Sequence, residues 1–341
     1  MSASAPVQPV SKTPARWWRE RSVHIAVVLW IVAMVAIFPL SHGGLPFNRP
    51  VLAKVPFLIQ VFMLPFQLLF PLFLVGVTYL LTRRRAVPDL ATRAPETRIA
   101  TRETVWLWIY GVAVLALGQI VGRRMFGEGI GLHLNGSLFG ATRTQSPEEV
   151  WFWAGYNFLF YAFIPYLVFR ARGYTREALN LKSANLPNDT LVIGVVLILE
   201  SALELTASGI FHLTGHQLLS GASLSFLVHL LGTGLPVMVF IYAILFPRYM
   251  RLTGSAATTV LLGALSYAAL HIFEYWTVYD SAPHAVLSVL FVVLTFIGPG
   301  LIKSYLTLRT GNAWVHLWAY HAIAPHVTAD TPLVVKIFGI R

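Results

Sequence analysis

The chain contains no cysteine, and only 14 of its 341 residues are acidic. The first absence excludes disulfides, iron–sulfur clusters, thiolate zinc sites and cysteine nucleophiles. Charge of either sign is scarce: 11% of residues are charged and 56% hydrophobic, whereas a soluble domain carries about 25% charged residues. That balance excludes a soluble globular protein and describes a polytopic membrane protein. The charge that remains is mostly basic, for a formal net of +11. Lys and Arg sit in short segments between apolar runs, as topology control requires, so no nucleic-acid partner is expected.

Apolar runs long enough to cross a bilayer fall near 23–41, 55–82, 104–122, 150–170, 190–212, 221–246, 258–277 and 283–308, with a shorter ninth at 312–327 broken by Pro325. They predict an all-α transmembrane helix bundle of eight to nine spans. The second run carries Pro56, Pro65 and Pro71 and reads as kinked or partly re-entrant. The basic stretch Lys12, Arg16, Arg19 and Arg21 precedes a run too long for a signal peptide, which reads as a retained first helix. With the N-terminus inside, 18 of the 25 Lys and Arg residues fall on the cytoplasmic side. The positive-inside rule then gives a multi-pass protein of the inner (cytoplasmic) membrane, N-terminus cytoplasmic. Four parts follow: an N-terminal arm (1–22), membrane-packing helices (23–145), a functional core (150–327) and a tail (328–341). The basic loop 83–103 reads as a topology determinant, with anionic-lipid contact as its functional alternative.

Acidic residues inside the apolar runs are few: Glu200, Glu204 and Glu274, all in the C-terminal half, which also holds eight of the eleven histidines. An ionisable group in a bilayer costs at least about 2–3 kcal/mol and marks a functional site. With alternating spans, Glu204, His229, His271, Glu274, His321 and His326 fall in the same half of the bilayer, within about 10 Å of one level. Glu200 and Glu204 are four apart and His271 and Glu274 three apart, so each pair shares a face if helical. Imidazole and carboxylate groups on facing helices build metal sites, here for zinc or iron. The set comprises Glu200, Glu204, His229, His271, Glu274, His321 and His326. His212, His216 and His284 read as interfacial. His316 lies five residues before His321, off its face on an α-helix, and reads as structural.

Three ordered segments carry a resemblance. They are FRARGYTREALNLKS, GLPVMVFIYAILFPRYMRLTGSAATTVLLGALSYAALH and LRTGNAWVHLWAYHAIAPHV, all within 169–327. This stretch resembles the CPBP (CAAX protease and bacteriocin-processing, or Abi) family of intramembrane proteases. The family's Phe-x-x-x-His motif falls on Tyr267 and His271, and the histidine of its His-x-x-x-Asn motif on His321. Pro325 stands at the asparagine position, with His326 one further. The family's Glu-Glu-x-x-x-Arg motif would fall on Val237, Met238 and Tyr242, so its general-base glutamate is absent.

The resemblance implies a CPBP-like membrane-embedded hydrolase acting on a hydrophobic peptide or a lipid-linked substrate. His271 and His321 would position water and an oxyanion, and a relocated Glu204 or Glu200 would serve as base, with or without a metal. Two alternatives stand beside it. One is a metal-dependent, di-iron-like membrane oxidoreductase that uses all seven ligand candidates. The other is a non-catalytic scaffold or immunity-type protein that kept the fold and lost the site.

Overall fold

The computed structural model describes residues 17–47, 54–127, 146–207, 209–274 and 276–341. Lys12, Arg16, Arg49 and Arg143 of the charge balance lie outside them. The chain runs through α1 (Arg21–Ser41), α2 (Phe57–Thr82), α3 (Thr97–Phe126), α4 (Pro147–Ala171) and α5 (Leu186–Ala207). It continues through α6 (Gly215–Thr253), α7 (Ala256–Ala269), α8 (Ala282–Thr310), α9 (Ala313–His316) and α10 (Ala329–Ile337). No strand occurs among the described residues, and six helices (α1, α2, α3, α4, α6 and α8) are long and apolar enough to cross a membrane. The molecule is an all-α, polytopic, multi-pass bundle.

Local chemistry sets the helix ends. Thr214 and Gln217 form a reciprocal capping box at the start of α6, and Ser255 and Ser281 cap α7 and α8 through their side chains. Both α6 and α8 stop at a glycine in the left-handed region, Gly254 and Gly311. Proline does not break α2, which passes through Pro65 and Pro71 as one helix, with Pro56 just outside it. It is therefore a full span and not re-entrant.

The helices take unequal shares of the interior. Only 6% of the most apolar stretch of α1 is buried, against 67% in α6. Leu29, Val35, Phe62, Leu69 and Trp106 of α1–α3 project outward, while Val237 to Phe246 of α6 are enclosed. Next to α6, α8 lies close against α2: a Cβ at Gly298 would run into the Gln67 carbonyl.

At the bundle end where α1 begins, the basic loop does more than carry charge. Arg85 pairs with Asp189 and donates to the Thr310 carbonyl at 2.9 Å. Arg93 donates to Asn180 at 2.7 Å and to the Gly311 carbonyl at 2.6 Å. Arg309 reaches back to Thr82 at 2.8 Å. These bonds tie the ends of α2 and α8 to the start of α5, so Arg85 and Arg93 act as clamps, while Arg83 and Arg84 stay exposed.

Two segments depart from their expected form. Helix α7 ends at Ala269, so His271 and Glu274 occupy a run of tight turns and do not share a helix face. The segment 328–341 is no free tail: α10 packs on α6, and a Cβ at Gly221 would collide with Val335.

Candidate metal centre

Four π-helical segments, in which the backbone bonds i to i+5, surround the interior of the core. They are Phe158–Phe163, Leu230–Gly234, Met238–Leu245 and Leu317–His321, and a fifth, Ala324–Thr328, follows. Such wide turns are rare and concentrate at functional sites. One is built around Gly232, where a Cβ would stand 2.5 Å from the Trp153 ring, so only glycine lets α4 approach this closely. Asn157 donates to the Gly232 carbonyl at 2.9 Å, satisfying a backbone group that the wide turn exposes.

The π geometry changes the meaning of the histidine spacing. Residues five apart now fall near one face, and His316, His321 and His326 form a continuous row. Ring centroids are 6.3 Å apart between His316 and His321 and 5.5 Å between His321 and His326. His316, read as off the face of His321, belongs to that row; its Nδ1 lies 3.4 Å from Thr307 Oγ1. His321 Nε2 lies 2.9 Å from Thr233 Oγ1, and its Nδ1 has no hydrogen-bond partner in the structure.

At the end of that row stands the tightest group of possible ligands: His229, His326 and Asp330, all buried, whose donor atoms lie within 4.8 Å of one another. His229 is the last α-helical residue before the wide turn at Leu230, and its Nδ1 donates to the Ser225 carbonyl at 2.8 Å. Ser225 Oγ donates to the His326 carbonyl at 2.8 Å, holding the two histidine-bearing segments together. The imidazoles of His229 and His326 are stacked, centroids 4.3 Å apart and planes 10° apart. Asp330 Oδ2 stands 3.2 Å from His229 Nε2 and 3.3 Å from His326 Nδ1.

The contact between His229 and Asp330 is the informative one. With its Nδ1 proton given to Ser225, a neutral His229 carries a lone pair on Nε2. That lone pair faces a carboxylate oxygen at 3.2 Å in poor hydrogen-bond geometry, inside the bundle. Facing lone pairs repel at low dielectric, and a cation, either a proton or a metal ion, relieves the repulsion. Two histidines and one carboxylate are a recognised ligand set for zinc and for non-haem iron. The separations of 3.2 and 3.3 Å are close to the ~3.4 Å between donors of a tetrahedral shell with bonds of about 2.0–2.1 Å.

The other sequence candidates divide around this group. Glu204 is half-buried and within electrostatic reach of Asp330. Glu200 belongs to a second group, within electrostatic reach of Tyr320 and of Lys303, whose Nζ lies 3.6 Å from the Tyr267 ring centre. His271 donates Nδ1 to the Tyr267 carbonyl at 2.7 Å and packs on Phe296 with centroids 4.1 Å apart. Tyr267 in turn meets His321 edge-on at 5.9 Å, which links His271 to the histidine row. Glu274 is buried within electrostatic reach of Tyr267 and Tyr279. Among the described residues, the seven candidates do not form one metal-sized cluster; His229 and His326 do, with Asp330.

Asp330 and Lys303 escaped the sequence reading. Asp330 lies beyond Pro325 in a stretch that reads as a tail, although its spacing of four from His326 was a usable signal. Lys303 lies inside the apolar run 283–308 and is buried within α8, where its charge marked it as clearly as that of the three glutamates. His284 pairs with Asp280 at the exposed start of α8, and His212 and His216 are also exposed, as interfacial residues are. Compared with family models, curated proteins and solved structures, the chain matches none of them. The meaning of the centre therefore rests on its own geometry.

Proposed function

We propose that the protein is a membrane-embedded metal-dependent hydrolase of the inner membrane, N-terminus cytoplasmic, with His229, His326 and Asp330 as its ligand set. The observation that carries this reading is the convergence of His229, His326 and Asp330, all buried, with their possible ligand atoms within 4.8 Å of one another. The hydrolase assignment, on a peptide or lipid-linked substrate, draws on the CPBP-like order of Tyr267, His271 and His321 in the same interior. A divalent ion held by the three residues would lower the pKa of a coordinated water and polarise a carbonyl.

The chain's own residues supply the rest. Glu204, with no family glutamate on α6 to compete, is the carboxylate placed to take a proton beside Asp330. Thr233 Oγ1 lies 2.9 Å from His321 Nε2 and holds the ring, while His321 Nδ1 has no hydrogen-bond partner and would be the atom that meets a substrate oxygen. His271, fixed by its bond to Tyr267, faces the same interior from the turn after α7. The imidazoles of His229 and His326 are stacked nearly parallel, so one ring would have to turn for both to hold the same ion.

A second reading, a non-haem iron oxidoreductase, is favoured by the same two-histidine, one-carboxylate composition. Metal content of detergent-purified full-length protein separates them, measured beside Asp330→Asn and His326→Ala variants. The hydrolase reading expects about one equivalent of zinc, lost in both variants. Stoichiometric iron would move the assignment to the oxidoreductase. Wild-type protein that takes up no transition metal would overturn both and leave a His–Asp pair in a non-catalytic bundle. Because the chain has no cysteine, single introduced cysteines at Arg84 and His284 report the orientation directly by labelling.

A further inference from the structure

The sharpest unassigned feature outside the histidine centre is a groove of about 390 Å³ between α3 and the second half of α4. Its mouth carries Arg102 and Arg172; its walls are Trp106, Ile164 and Val168, and Tyr110 stands at its inner end. Arg102 to Tyr110 is eight residues of helix, so the groove runs about 12 Å along α3 from the bundle end that holds the arginines.

Polar capacity is confined to that mouth. The Tyr110 hydroxyl donates to the Phe160 carbonyl at 2.6 Å, which leaves no open donor at the inner end. Glu103 is already saturated: Arg248 reaches it at 2.6 and 2.8 Å, Arg172 at 2.6 Å and the Tyr174 hydroxyl at 2.9 Å. Two guanidinium groups therefore already face one carboxylate, and Arg102 adds a further positive charge at the mouth of the apolar groove, so positive charge is in surplus there. Arg172 remains 42% exposed, and Trp106, 62% exposed, lies where the amphipathic aromatics of membrane interfaces sit.

We infer that this groove binds one anionic phospholipid, its phosphate between Arg102 and Arg172 and the upper part of an acyl chain against Trp106, Ile164 and Val168. A one-headed charge on an apolar body matches this arrangement in both parts: the surplus charge recognises the phosphate, and the walls continue the hydrocarbon surface of the spans. A free phosphate would use only the mouth and leave the walls unfilled. Arg248, packed against the neighbouring Phe169 and Tyr174 rings at 4.5 and 5.0 Å, fixes Glu103 so that Arg172 is held at the mouth and not folded away.

The test uses full-length protein in detergent, incubated separately with phosphatidylglycerol, phosphatidylcholine or inorganic phosphate, with bound lipid counted by native mass spectrometry. Thermal unfolding is followed alongside. Phosphatidylglycerol is expected to be retained preferentially and to raise Tm, whereas inorganic phosphate leaves Tm unchanged. Arg102→Gln, which spares the Glu103 network, is expected to cut phosphatidylglycerol retention about fivefold, the worth of one basic residue at a lipid surface. Val168→Trp, filling the wall, is expected to cut it while Tm without lipid stays near wild type. Equal retention of the two lipids, unchanged retention in Arg102→Gln, or a Tm rise reproduced by phosphate alone would each overturn the assignment.

Discussion

Two clusters of buried charge sit in this bundle, and they are built on opposite terms. Around Glu103, the carboxylate is fully partnered: two arginines and a tyrosine converge on it, and Arg248 gives a further bond to the Ile244 carbonyl at 2.5 Å. Burial, ahead of the neighbouring carboxylate, raises the Tyr174 hydroxyl above the ordinary tyrosine range, so it stays a donor through neutral pH. Around Asp330, two imidazoles converge on one oxygen, and one of those contacts lacks the geometry of a hydrogen bond. The first cluster is closed and serves the fold. The second brings three possible ligand atoms together in the interior, and the proposed metal centre rests on that arrangement. The contrast separates structural from functional charge without reference to sequence motifs.

The widest gap between the clusters should appear on removing Asp330. Asp330→Asn is expected to abolish metal binding and the activity that depends on it while the bundle still folds, read by metal content and by size-exclusion profile in detergent. Unfolding of this variant would place Asp330 with Glu103 as a structural group. Removing the carboxylate of the closed cluster should do the reverse. Glu103→Ala strands Arg248 in the interior and is expected to lower stability by about 3–5 kcal/mol, measured by denaturant unfolding in detergent, with metal content per folded molecule unchanged.

Smaller changes sharpen the same distinction. Gly232→Ala drives a methyl into the Trp153 ring and should cost about 1–3 kcal/mol, together with a displaced His229 and weakened metal uptake. Ser225→Ala removes the bond to the His326 carbonyl and the 3.5 Å contact to His229 Nδ1, and outer contacts of this kind are worth about 10–100-fold in metal affinity. A competition titration with a chelating dye reads that loss. At the exposed edge, Asp280 is held below its ordinary carboxylate value by the hydrogen bond from His284. That pairing is present above the unfolded carboxylate pKa and is lost as pH falls through the lowered one. Both side chains face solvent, so Asp280→Asn should leave Tm at neutral pH unchanged.

Hydropathy made the architecture legible, because spans are long and lipid tolerates little else. The all-α class, the helix ends near Ser41, Thr82 and Thr310, and the burial of His229, His271, His321 and His326 lie in the sequence, whereas of the eight to nine expected spans six helices are long and apolar enough to cross a membrane. What hydropathy conceals is which helix is central: α1 and α6 read alike, although one faces outward and the other fills the core. The polar residues on α6, Ser225, His229 and Thr233, mark that difference better than its apolar ones. The site was partly hidden by an assumption of 3.6 residues per turn. On that spacing His316 and His321 diverge, whereas the wide turn at Leu317–His321 aligns them. Glu274 misleads in the other direction, since α7 stops five residues before it.

The wide turns also set how this gene tolerates change of length. A π-helical turn is an α-helical turn with one residue to spare, so deleting a residue within 317–321 would restore ordinary helix without breaking the span. One turn would then be made with one residue fewer, and everything after it would keep its orientation, His326 and Asp330 included. The same deletion in an ordinary α-helical stretch has no spare residue to draw on and would rotate everything after it by about 100°. The damage from losing one residue therefore depends on which kind of turn loses it, a difference that no hydrophobicity profile would register.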